Sequence, residues 1–147
     1  MYYVMTEREV LVGFLPSGGV GAEVGVAAGD FAQVLVERTE PRCLHLIDPW
    51  CHMESDAGDP RAFLDGIARA EGQFYGPEYN KHGDAQLLDV VRRFADRPEV
   101  EIHQQFSYKI AREFAPQTFD YVYIDGNHTY EYVLQDLYDF ADKLKDD

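Results

Sequence analysis

The chain has 147 residues, 13 Lys+Arg against 27 Asp+Glu, and a formal net charge of −14. That length fits one domain whose core stands without disulfide staples, and a hydrophobic share of 46% excludes disorder as the main state. The acidic surface repels phosphate backbones, so no nucleic-acid partner is expected, and no apolar run reaches the ~20 residues of a membrane span.

Thr6, with Glu9 three positions on, forms a capping-box pattern, and Val10, Leu11, Phe14 and Leu15 share the apolar face of the helix it predicts. Pro16 to Gly19 end it. VGAEVGV, residues 20–26, reads as a strand, and Phe31, Val34, Leu35 and Arg38 mark a short amphipathic helix closed by Pro41. CLHLIDPW, residues 43–50, is a second strand that must stop at Asp48-Pro49, because proline has no N–H for the ladder. Residues 51–82 form a long Gly-, Asp-, Pro- and Tyr-rich insertion with one helical stretch near 61–70. Asp84 reads as an N-cap, followed by the apolar face Leu87, Leu88, Val91, Phe94 and Ala95. A weak third strand covers 100–104, a short helix 107–114 and a fourth strand 119–126. The last helix, 129–145, is expected to bury Val133, Leu134, Leu137, Phe140, Ala141 and Leu144. The organisation is thus a single domain: an N-terminal helix and loop, 1–19, and an α/β core, 20–147. Two cysteines make no disulfide framework, and MYYVMTEREV carries no secretory pattern, so a cytoplasmic protein is expected.

Strands separated by helices imply right-handed crossovers and a parallel sheet covered on both faces. Ligands of such sheets sit beyond the carboxyl ends of the strands, at the point where strand order reverses. After the first strand, Gly25 and Gly29 bracket two alanines, which suits either close ligand approach or a plain strand-to-helix turn. The glycines do not spell the G-x-G-x-x-G of dinucleotide enzymes, which counts against a nicotinamide-dependent oxidoreductase. Asp48 suits a ribose or a cap. Asp125-Gly-Asn-His128 closes the fourth strand. His128 reads as a general base or a solvent-facing cap, and Asp125 as a cation ligand or a wall residue without metal. Cys43, His45, Cys51 and His52 match metal ligands by type, but their spacing fits no zinc module and two of them fall inside a strand, so core packing is the expectation.

Four stretches, EVGVAAGDF (23–31), LHLIDPW (44–50), FSYKIAREF (106–114) and FDYVYIDGNHTYEYVLQDL (119–137), together resemble class I S-adenosylmethionine-dependent methyltransferases, in particular those with a DGxH segment after strand four. The resemblance implies a Rossmann-like sheet and methyl transfer to a small-molecule acceptor, chiefly a hydroxyl. It implies that Gly25, Ala27 and Gly29 lie against the methionine part of the cofactor, with Glu23 supporting that loop. It places Asp48 on the ribose, Pro49 and Trp50 beside the adenosine, and Phe106 and Ser107 at the adenine, with Asp125 also at the cofactor. It further implies His128 as the base and a magnesium ion (Mg2+) on Asp125. Gln105 departs from the pattern, standing where relatives often carry glycine. Relatives continue with further strands after the helix at 129–145. The chain is therefore expected to be a C-terminally truncated form whose fourth strand is an open edge, suited to self-association. The alternative to an enzyme is a non-catalytic nucleoside-binding or self-associating module of the same fold.

Overall fold

A computed structural model describes residues 7–50 and 80–146. The helix expected near 61–70 and the Thr6 cap lie outside them, as do Cys51 and His52. The elements are α1 (Glu7–Val12), β1 (Val20–Val24), α2 (Asp30–Thr39), β2 (Cys43–Asp48), α3 (Asn80–Arg93), β3 (Val100–Gln104), α4 (Ser107–Ile110) with a 3-10 turn over Ala111–Glu113, β4 (Tyr121–Ile124) and α5 (Tyr130–Ala141). The four strands form one parallel sheet in the order β3-β2-β1-β4. The order reverses between β1 and β4, which makes the gap between their carboxyl ends the switch point. This is the expected Rossmann-like α/β sheet. Among the described residues no helix is long and apolar enough to cross a membrane.

Strand alternation divides the core into two layers. Leu44 and Leu46 of β2 and Tyr121 of β4 pack with Ala32, Leu35 and Val36 of α2 and with Val90 and Phe94 at α3. Ala22 and Val24 of β1 and Ile47 of β2 pack on the opposite face with Ile110, Ala111, Phe119 and Phe140. β2 ends at Asp48, as Pro49 requires.

Several helices turn a different face to the core from the one their sequence suggested. In α1, Val10, Leu11 and Phe14 are exposed, and Val12 is the buried anchor. The helix stops at Val12 and tightens into i→i+3 bonds from Gly13, Phe14 and Leu15, which breaks the regular spacing. α3 begins at Asn80, so Asp84 lies inside it rather than at its cap; Gly83 costs the helix interior about 1 kcal/mol without stopping it. Its core-facing seam is the partly buried Leu87 and the buried Val90, continued by Phe94 just past its end, whereas Leu88 and Val91 are exposed. The seam is chosen by Gly29, whose missing Cβ lets Val90 and Phe94 pack against the start of α2. α5 buries Asp136 and Phe140 and exposes Leu137, and it stops at Ala141, so Leu144 lies beyond it and is exposed.

Ahead of β4, the chain returns after α5 so that Phe119 N–H donates to Lys143 O at 2.9 Å and Lys145 N–H donates to Phe119 O at 2.9 Å, an isolated parallel bridge that lies outside the strand expected to be an open edge.

Candidate functional site

A cavity of about 860 Å³ opens at the switch point, within the size range of small-molecule sites. β1 and its loop contribute Glu23, Gly25 and Ala27 to its lining. The end of β2 contributes Asp48, Pro49 and Trp50. Phe106 and Ser107 follow β3, and Asp125 follows β4. Gly29 is absent from this lining: it sits at the N-cap of α2 with φ 81°, and a Cβ there would lie 3.1 Å from Val90 and 3.2 Å from Phe94. Its place in the fold is helix packing. His128 also lies outside the lining and joins the site only through Asp125.

Gly25 shows how the switch point closes. Its φ is 88°, and a Cβ on it would stand 2.4 Å from the carbonyl oxygen of Asp125. Only glycine meets both demands, a left-handed backbone and contact with the chain leaving β4. The next turn is braced by Asp48. One of its oxygens accepts from Val26 N–H at 2.8 Å and Ala27 N–H at 3.0 Å, and the other accepts from Trp50 N–H at 2.6 Å. The Trp50 indole N–H donates to Ala27 O at 2.8 Å, and the ring is buried. Ala27 and Trp50 both take positive φ, 51° and 48°, so this bracing offsets backbone strain in two non-glycine residues. Asp48 and Trp50 therefore shape the loop in addition to facing the cavity.

The walls are acidic. Glu23 is 1% exposed, and its Oε2 has no hydrogen-bond partner among the described residues. Burial, then the nearby Asp125 and Asp48, push its carboxyl well above the ordinary carboxylate range, with Arg8 opposing them. Asp136 from α5 is also buried and accepts from the Ser107 hydroxyl at 2.5 Å; burial raises its pKa, and the Ser107 bond opposes the rise.

Asp125 has both oxygens engaged. The Arg8 guanidinium donates to Oδ2 at 2.6 Å, and His128 Nε2 lies 3.0 Å from Oδ1. Arg8 reaches the site from α1 across 117 positions of sequence, which no local pattern reveals. Asp136 was hidden for a different reason: helical periodicity marks only the apolar positions of α5. The set around Asp125 does not fit the magnesium ion that the resemblance implied. A guanidinium and an imidazole occupy the positions a divalent cation needs, and among the described residues no converging group of three His, Cys, Asp or Glu includes Asp125.

A family model described as a methyltransferase domain matches residues 22–147. The chain belongs to the methyltransferase-domain family. The matched segment takes in the glycine turn after β1, Asp48, and the Asp125–His128 segment, so these are the parts of the methyltransferase domain that line or adjoin the cavity. No curated protein matches the chain. Among solved structures, spermidine synthase from Thermotoga maritima is similar at 16% identity, with a TM-score of 0.50 over 95% of this chain and 38% of that one. A spermidine synthase in complex with the transition state analogue AdoDATO aligns at 17% identity, with a TM-score of 0.46 over 95% of this chain and 37% of that one. The first likeness shows the fold. The chain spans less than two fifths of the length of either synthase.

Proposed function

We propose that this methyltransferase domain binds S-adenosylmethionine in the switch-point cavity and methylates a small-molecule hydroxyl. The observation that carries the reading is Glu23: a buried carboxyl in the cavity wall whose Oε2 lacks a hydrogen-bond partner among the described residues. Burying such a group is costly unless a ligand satisfies it. Glu23, Asp30, Asp48, Asp125 and Asp136 outnumber Arg8 and Arg112 around the same space, so the site favours a ligand with cationic groups. A sulfonium nucleoside with an ammonium group has that character, and the cavity has room for it.

S-Adenosylmethionine, when bound, supplies a methyl group on cationic sulfur; the rest is positioning. Asp48 holds the 26–27 turn with three of its roughly four acceptor sites and has one left for a ribose hydroxyl. Phe106 closes the cavity on the β3 side, with Ser107 fixed by Asp136. Asp125 orients His128 through Nε2, which leaves Nδ1 to accept the proton of an acceptor hydroxyl. Arg8 holds Asp125 in turn, so the order is guanidinium, carboxylate, imidazole. Magnesium has no part in this scheme.

A second reading, nucleoside binding without turnover, is favoured by the 70% exposure of the His128 side chain, which leaves the base unenclosed. Calorimetric titration of S-adenosylhomocysteine into the full chain tests both readings. Micromolar affinity that falls at least tenfold in Asp48→Ala is expected; a folded chain that binds none refutes them. Methyl transfer to hydroxyl acceptors by native protein, lost in His128→Ala, separates the first reading from the second.

A further inference from the structure

A second constellation lies on β2 and β3, on the sheet face covered by α4 and α5. The parallel register places His45 beside Glu101 and Ile47 beside His103. Alternation then turns Cys43, His45, Glu101 and His103 to one side of the sheet. Cys43 Sγ is 3.4 Å from His45 Nε2 and 3.6 Å from Glu101 Oε1. Cys43, His45 and Glu101 each bring one ligand atom within 4.8 Å of the others. His45 Nδ1 meets His103 Nε2 at 2.9 Å, and the rings of Phe114 and Phe119 pack edge-on against His45 at 5.0 and 5.5 Å.

We propose that Cys43, His45 and Glu101 form a zinc site, with His103 as the residue that orients His45. Tetrahedral zinc with Zn–S about 2.3 Å and Zn–N or Zn–O about 2.0–2.2 Å requires ligand-to-ligand edges of about 3.6 Å on sulfur. The two measured edges from Cys43 Sγ match that requirement. When His45 donates its Nδ1–H to His103 Nε2, its Nε2 lone pair points toward Cys43, as in metal-ligating histidines fixed by an outer partner. A thiolate, an imidazole and a carboxylate form a borderline donor set that suits zinc rather than magnesium or calcium. Three protein ligands leave a fourth position free, and the Glu101 side chain is 56% exposed, so exchange with solution is open. The spacing Cys43-x-His45 matches no zinc module because the third ligand comes from the neighbouring strand. The site joins β2 to β3, away from the cavity at the strands' carboxyl ends.

Cobalt(II) serves as the spectroscopic probe. One equivalent added to chelator-treated full-length protein is expected to give a near-ultraviolet thiolate-to-cobalt charge-transfer band and tetrahedral visible absorption, both displaced by zinc. Cys43→Ser should abolish the charge-transfer band, Cys51→Ser should retain it, and Glu101→Gln and His103→Gln should each weaken affinity at least tenfold. Unfolding temperature should rise with zinc in native protein and not in Cys43→Ser. Absence of the band in folded native protein overturns the site, as does a band that survives Cys43→Ser and disappears in Cys51→Ser. Unchanged affinity in Glu101→Gln overturns the assigned ligand set. Circular dichroism of each metal-free variant confirms that the fold is intact.

Discussion

Glu23→Gln is expected to stabilise the ligand-free protein at neutral pH. The raised carboxyl pKa means that the folded state binds the Glu23 proton more tightly than the unfolded state does. The contribution of Glu23 to stability is therefore fully present below its unfolded pKa, about 4.3, and declines as pH rises toward the folded value. Each pH unit in that window costs about 1.4 kcal/mol. At pH 7 the window ends either at the folded pKa or at pH 7 itself, so the penalty cannot exceed about 3.7 kcal/mol. Glutamine has nearly the same shape and does not titrate. It leaves a polar group unpartnered as glutamic acid does, so that cost cancels between the two proteins to first order.

Urea denaturation at pH 5, 6 and 7 checks this. The stability difference, variant minus native, should be small at pH 5 and grow toward a ceiling of about 3.7 kcal/mol at pH 7. Asp136, His45 and His103 also have shifted pKa values, but they are common to both proteins and drop out of the difference. A variant less stable than native by the same amount at all three pH values would refute the account, because Glu23 would then contribute contacts rather than buried charge. Affinity for S-adenosylhomocysteine should fall in the same variant. A residue that costs stability when empty and contributes to binding when filled shows the usual conflict between stability and function.

Gly25→Ala should lower stability by more than about 3 kcal/mol, since left-handed strain of about 1–2 kcal/mol adds to a backbone clash; Gly18→Ala, with φ 72° and nothing within 4 Å, should show the strain alone, and thermal unfolding of the two variants compares them directly. Equal losses would refute the close approach at Asp125. Asp48→Ala removes the acceptor of three N–H groups and should cost about 3 kcal/mol in chemical denaturation, each charge-assisted bond contributing about 1.5–3 kcal/mol before allowance for partial exposure. His128→Ala should lower kcat about 10²–10⁴-fold while leaving S-adenosylhomocysteine affinity unchanged, read by single-turnover kinetics and calorimetry.

The strands were legible because their signals are local. β3 has the bounds its apolar and β-branched residues suggested, and Pro49 fixes the end of β2. Helix faces were less legible. The apolar positions of α3 span an arc wide enough for two seams, and Leu88 and Val90 compete for the core on equal terms in sequence. The contact of Val90 with Gly29, a residue from another element, decides between them. In the site, the strand-end rule found Asp48 and Asp125, because topology alone puts them beside the cavity. It did not find Arg8, which arrives from a helix ahead of the first strand. Nor did it separate Gly25 from Gly29, since both take a left-handed φ and differ only in what their missing Cβ would meet.

The electrostatics of the site follow from the same close approach. β1 and β4 are paired neighbours, and before the chains leaving them part around the cavity they meet at Gly25 against the Asp125 carbonyl. That contact places the Asp125 carboxylate near Glu23, and Asp48 arrives from the adjacent strand. Three carboxyl groups then share a region partly shut from water, where their mutual repulsion is weakly screened. The fold answers with Arg8 on Asp125, while the Glu23 carboxyl stays buried with its Oε2 unpartnered among the described residues. Glycine at position 25 is thus the residue on which both the shape and the charge of the site depend.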